Sequence, residues 1–167
     1  MVDQEISEDY MRQGIRIILS NITKYVEDAR LLIQHDSMSH AAVLSLYASE
    51  ELGKASLLHE TLESHKPNVD LKLFRGKEAH NRKMAAAKRL LGDSIILQSS
   101  VAGRARVPFI LGAPDVEASP SLRMDCTYVD FRDGKWSFGS PFLVEHLDGL
   151  LDRLEKEADM LGNKLSE

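Results

Sequence analysis

The most constraining feature of this sequence is a long run of apolar residues with helical spacing near its amino end. From Glu8 to about Gln34 they recur at intervals of three and four, which places them on one face of a helix. These residues are Ile15, Ile18, Leu19, Ile22, Val26, Ala29, Leu32 and Ile33. The polar stretch HDSMSH then favours a turn and an N-cap, and a second helical pattern runs from about Ser39 to Ser64. We therefore expect the two helices to form an antiparallel hairpin.

A third helix is expected beyond a break at Pro67. It covers about 70–98 and is rich in alanine and charged residues. The region 99–122 is punctuated by glycines and prolines, which predicts a loop.

The carboxyl-terminal part predicts a hairpin followed by a helix. Asp133-Gly134 is a two-residue turn signal between β-prone residues, so a short β-hairpin is expected over about 126–138. Ser140-Pro141 then precedes a final helix over about 142–164. The expected fold is mostly α, an antiparallel helical bundle with a short β-hairpin before the last helix.

Length and composition limit the kinds of protein that fit. At 167 residues, with 43% hydrophobic and 28% charged residues, the chain suits one folded domain over 1–167. The acidic start MVDQEISEDY is unlike a secretory signal and no apolar run could span a bilayer, so we expect a cytoplasmic protein with no membrane association. The single cysteine, Cys126, excludes an intrachain disulfide and a cysteine-paired zinc site.

Positive charge is concentrated in one segment. The chain carries a net charge of −5, but seven basic residues and one acidic residue lie between Lys72 and Arg89, a local charge of +6 against −11 elsewhere. This segment is therefore the part of the chain suited to phosphate contact, and its Lys72, Lys77 and Arg82 are candidate RNA-binding residues.

The first candidate motif is Glu50-Glu51-Leu52-Gly53-Lys54 in the second helix. Glu50 and Lys54 have the spacing and order of a surface ion pair, which is the simplest interpretation. Glycine inside a helix costs about 1 kcal/mol relative to alanine, so Gly53 suggests a close helix crossing.

The second candidate is Arg75-Gly76-Lys77-Glu78-Ala79-His80-Asn81-Arg82-Lys83, at the start of the third helix. An imidazole exchanges protons near neutral pH, and Arg or Lys can hold the charge of a phosphate under attack. Metal-free RNA cleavage would then use His80 to move a proton, with Arg75 or Lys83 stabilising the phosphorane. The alternative is that His80 is a solvated or capping residue.

Geometry limits how Arg75 and His80 cooperate. Residues five apart on a regular helix point about 140° away from each other, so Lys83 lies nearer to His80 than Arg75 does. A distorted first turn at Gly76, or a symmetric dimer that brings two such helices together, would overcome this.

No metal or cofactor is expected. The chain contains neither HExxH nor any Glu-x-x-His pair. In the third candidate segment, Arg123 to Phe138, the aromatic residues Tyr128 and Trp136 are explained as cross-strand or core residues of the hairpin.

Three segments in order resemble the AbiV family of phage abortive-infection proteins, a branch of the HEPN helical domains. They are HAAVLSLYASEELGKASLL, FRGKEAHNRKM and LRMDCTYVDFRDGKWSFGSP, which carry the EE-x-GK stretch, the H-x-x-K stretch, and an arginine (Arg123) followed by Y-V-D from Tyr128. The resemblance covers roughly Asn21 to Leu161 and implies a HEPN-type bundle, usually dimeric, in antiviral defence.

The resemblance also implies a chemistry. Many HEPN proteins are ribonucleases built around Arg-x4-6-His, and Arg75 to His80 matches with four intervening residues. Active members commonly place a polar residue after that arginine, where this chain has Gly76. Two interpretations stay open, one with Arg75 in the motif and one in which His80 and Lys83 are the family positions.

The function hypothesis is a phage-defence protein that acts as a dimeric, metal-independent endoribonuclease on RNA. The alternative is a non-catalytic HEPN module that binds a phage or host protein and blocks translation or growth.

Overall fold

The computed structural model of the protein describes residues 6–64, 77–91, 96–99, 107–110, 129–132, 135–138 and 144–166. In that part of the chain the elements are helices α1 (Glu8–Gln34), α2 (Met38–Glu63) and α3 (Lys77–Leu91), strands β1 (Ile96–Ser99), β2 (Val107–Ile110), β3 (Val129–Arg132) and β4 (Lys135–Phe138), and helix α4 (Val144–Lys164).

Helix α1 begins and ends with local signals that the sequence carries. Ser7 accepts a hydrogen bond from the backbone N–H of Tyr10, and Glu8 and Asp9 lie in the first turn, where acidic residues favour the helix dipole. The turn into α2 passes through Asp36, whose φ of 57° is left-handed, a conformation that aspartate tolerates better than most residues. The chain therefore reverses within three residues.

The predicted apolar stripe of α1 faces the core. Ile15, Ile22 and Ala29 are fully buried, and α1 packs against both α2 and α4. Helix α4 contributes a matching leucine stripe, buried at Leu147, Leu150, Leu151 and Leu154. Arg30 of α1 also bonds Asp152 and Glu155 of α4, at 2.7 and 3.0 Å.

Helix α2 is the centre of the bundle and contacts α1, α3 and α4. It is buried on most of its circumference, and many of its buried residues are small: Ser39, Ala41, Ala42, Ser45, Ala48, Ser49, Gly53, Ala55 and Ser56. The buried hydroxyls of Ser45 and Ser49 donate to the carbonyls one turn back, at 2.9 and 2.8 Å, so they need no outside partner. These small side chains allow α1, α3 and α4 to pack closely around α2.

The described helices confirm the mostly α bundle, and the structure corrects the region beyond α3. The helix predicted over 70–98 ends at Leu91, and Ile96–Ser99 is a strand paired antiparallel with Val107–Ile110, inside the predicted loop 99–122. In the sequence, Gly92-Asp93 is a helix-ending signal, and short apolar runs are ambiguous between helix and strand. Residues 70–76 lie outside the described residues.

Strands β3 and β4 pair antiparallel, with Val129 opposite Phe138 and Phe131 opposite Trp136. The 126–128 end of the expected hairpin and its Asp133-Gly134 turn lie outside the described residues, as do 142 and 143 of the last predicted helix. None of the helices in the described ranges is long and apolar enough to cross a bilayer.

Candidate functional site

The candidate site forms where α3 crosses α2 at Gly53. A Cβ atom placed on Gly53 would overlap the backbone carbonyl of Lys83 and lie 3.0 Å from the backbone N of Ala87. Real Cβ atoms do not approach backbone this closely, so α3 reaches this position only because residue 53 is glycine. The close crossing expected from the sequence is therefore present, and its partner is α3.

One turn before Gly53, Glu50 receives two side chains from α3. Its Oε2 lies 2.8 Å from Nδ1 of His80, and its Oε1 lies 2.5 Å from Nζ of Lys83. His80 and Lys83 are three residues apart, so they share a helix face and reach the two oxygens of one carboxylate. We call Glu50, His80 and Lys83 the Glu50 cluster.

The Glu50 cluster is mostly shielded from solvent. The exposed fractions of the side chains are 18% for Glu50, 20% for His80 and 8% for Lys83. Burial raises the pKa of Glu50, but the hydrogen bond from Lys83 and the charges of His80 and Lys83 outweigh it, so the pKa lies below its ordinary value of 4.5. Glu50 is therefore ionised at neutral pH.

The ionised carboxylate fixes the orientation and tautomer of the neutral His80 ring. A carboxylate only accepts hydrogen bonds, so Nδ1 of His80 must carry the hydrogen that it shares with Glu50. In the neutral ring Nε2 is then the basic nitrogen. The arrangement gives an imidazole held by a carboxylate, the pairing that orients a general base.

The prediction of an ion pair between Glu50 and Lys54 is wrong. Lys54 bonds Glu51 instead, at 2.5 Å, while Glu50 turns to α3. Adjacent helical residues diverge by about 100°, so Glu50 and Glu51 face different neighbours. The motif thus serves two sides of α2: Glu50 and Gly53 face α3, and Glu51 and Lys54 lie in a cleft against α1.

The structure describes only some of the other predicted site residues. Arg82 lies exposed on α3, and Lys77 is its first residue. Lys72, Arg75, Arg123 and Tyr128 lie outside the described residues, so whether Arg75 approaches His80 stays a prediction. The described side chains contain no group of three or more histidine, cysteine or acidic residues placed to hold a metal ion.

Sequence reasoning missed that Glu50 is the partner of His80 and Lys83. Each motif contains only one side of this contact, Glu50 on α2 or His80 and Lys83 on α3. Glu50 lies one turn before Gly53, and its two oxygens are complementary to His80 and Lys83 on the next helix. To predict this contact from the sequence, one must know that α3 is the helix that crosses α2 at Gly53.

The described helices form a mostly α bundle with a polar cluster between its second and third helices. A family model described as AbiV matches residues 10–143. Since this is most of the chain, the protein belongs to the AbiV family of HEPN proteins, as the resemblance implied. Searches of curated proteins and of solved structures returned no significant match.

Proposed function

We propose that this protein is an abortive-infection ribonuclease in which the Glu50 cluster carries the chemistry. The observation that supports it most is the 2.8 Å contact between Glu50 and His80, which joins two motifs of the family sequence into one partly exposed site. Membership of the AbiV family supports the defence role. The adjacent basic segment supports RNA as the ligand.

The proposed reaction needs no metal. A ribose 2′-hydroxyl attacks the neighbouring phosphorus, and its proton passes to Nε2 of His80. The bond from phosphorus to the 5′ oxygen breaks, and that oxygen leaves with a proton from water. The products are a 2′,3′-cyclic phosphate and a 5′-hydroxyl end. Glu50 stabilises the imidazolium formed during the step.

Lys83 acts through Glu50 in this proposal. Its side chain is only 8% exposed and its ammonium lies against the carboxylate, so it is poorly placed to reach a phosphate. It compensates the buried charge of Glu50 and fixes its position. In this proposal other basic residues stabilise the negative charge that develops on the phosphate, and Arg75 is the candidate that the family resemblance implies.

We also propose that the protein acts as a dimer. Residues five apart on a regular helix, the spacing of Arg75 and His80 in the sequence, point about 140° away from each other, so a second copy is the simplest source of an arginine facing His80. HEPN domains commonly dimerise, which favours the same arrangement.

RNA cleavage by the purified wild-type protein tests the reaction type. We expect cleavage in the presence of EDTA, cyclic phosphate on the upstream product, and resistance of RNA carrying 2′-O-methyl groups, which lacks the attacking hydroxyl. Cleavage that depends on Mg²⁺ and leaves 3′-hydroxyl ends would contradict the mechanism. RNA that stays intact under all conditions would favour the non-catalytic alternative, binding to a phage or host protein.

A further inference from the structure

A second polar cleft lies between α1 and α2, and the Glu50 cluster does not account for it. It has a volume of about 560 Å³, and its polar lining includes Gln13, Arg16, Ser20, Asn21, Lys24 and Lys54. Arg16, Ser20 and Lys24 follow one another at intervals of four, so they form a single row along α1. Lys54 belongs to the EE-x-GK stretch of α2, which therefore contributes to both sites.

The cleft is positively charged in a chain whose net charge is −5. The ammonium of Lys54 bonds the cleft's carboxylate, Glu51, and both side chains are about one-fifth exposed. Arg16 and Lys24 are exposed, and no carboxylate in the described part of the chain lies within ion-pair distance of either. Two exposed cations without an ion-pair partner among the described residues thus flank Lys54 and Glu51, whose charges cancel each other.

The other residues of the cleft complete the chemistry of a nucleotide site. The amide groups of Gln13 and Asn21 and the hydroxyl of Ser20 can donate hydrogen bonds to oxygen atoms. Ile17, 63% exposed, lies in the same lining and offers an apolar surface to a base. Cations, neutral donors and an exposed apolar side chain together match a phosphate attached to a sugar and base.

We propose that the α1–α2 cleft binds the phosphate of a nucleotide, either free or within an RNA strand, through Arg16 and Lys24. Lys54, held by Glu51, borders the same space. Glu50 and Glu51 point to different sides of α2, so this site is separate from the Glu50 cluster and stands whether or not the protein cuts RNA.

Calorimetric titration tests the proposal with four probes: inorganic phosphate, AMP, adenosine, and a 2′-O-methyl RNA oligonucleotide that resists cleavage through the 2′-hydroxyl. We expect AMP or the oligonucleotide to bind, adenosine to bind at least about tenfold more weakly, and affinity to fall with salt. Binding of AMP identifies a free nucleotide as sufficient, and binding of the oligonucleotide alone identifies an RNA strand.

The matched variants are Arg16→Gln with Lys24→Gln, and Lys156→Gln with Lys164→Gln on α4. Each pair removes two positive charges from exposed helix positions. We expect the first pair to weaken binding about tenfold or more, because two charge-assisted hydrogen bonds are lost, and the second to leave it within about twofold. Equal weakening by both pairs, or no binding of either nucleotide probe by the wild-type protein, would overturn the proposal. Thermal melts of both variants check that each remains folded.

Discussion

At the scale of single residues, Glu50 has the most consequential position. Its two oxygens receive His80 and Lys83, so one side chain links α2 to two positions on α3. Removing one member of a buried ion pair leaves the other charge without compensation, and this cost usually exceeds the favourable energy of the intact pair. The surface pair Arg89–Glu60, with both side chains about half exposed, carries no such cost.

Glu50→Gln should lower the free energy of unfolding by about 2–4 kcal/mol, because Lys83 stays buried without a carboxylate. Urea denaturation measures the change. The matched control is Glu60→Gln, whose partner Arg89 is about half exposed, so the loss should be limited to about 1 kcal/mol. Adding Lys83→Met to Glu50→Gln should recover part of the loss. Equal effects of the two glutamine variants would contradict a special role for Glu50.

The lowered pKa of Glu50 gives its contribution a defined pH dependence. A carboxylate with a lower pKa in the folded state stabilises the fold above its unfolded value, here 4.5, and the stabilisation disappears as pH falls through the folded pKa. The stability difference between wild type and Glu50→Gln should therefore shrink as pH falls below about 4.5. Denaturation curves along a pH series measure it. A difference that stayed constant or grew below pH 4.5 would contradict the assigned direction.

At the scale of elements, the approach of α2 and α3 depends on Gly53. Gly53→Ala should lower the free energy of unfolding by roughly 1–3 kcal/mol or more, because the new methyl group forces the helices apart. It should also lengthen the contact between Glu50 and His80. Gly14→Ala on α1 is the matched control: a Cβ there meets no atom within 4 Å, so higher helix propensity should stabilise the protein by about 0.5–1 kcal/mol. Denaturation of the two alanine variants should thus give changes of opposite sign.

Elements differed in how far their sequences predicted them. The apolar stripe of α1 was predictable because Ile15, Ile18 and Ile22 recur at helical spacing in the sequence, and the face that they form is the one buried in the core. Strand β1 was not, because Ile96–Ser99 is too short to distinguish strand from helix without its partner. The members of the Glu50 cluster were predicted as candidates, but their contact was not. It depends on a crossing between residues about thirty positions apart.

At the scale of the whole molecule, the proposed dimer is open to direct measurement. Light scattering after size exclusion should give twice the chain mass of 18.7 kDa, independent of added RNA. Mixing Arg75→Ala with His80→Ala protein should then restore part of the cleavage lost in each, because a mixed dimer contains one intact site with Arg75 and His80 from different copies. A monomer with full activity would contradict the proposal.

The central claim, that the Glu50 cluster makes this AbiV-family bundle a ribonuclease, is tested most directly by the RNA cleavage rate of His80→Ala in EDTA. His40→Ala, which alters an exposed histidine at the start of α2, is the control for the loss of an imidazole. We predict that His80→Ala slows cleavage by at least about a hundredfold while retaining a cooperative thermal melt, and that His40→Ala cleaves like the wild type. Wild-type cleavage by folded His80→Ala protein would contradict the claim.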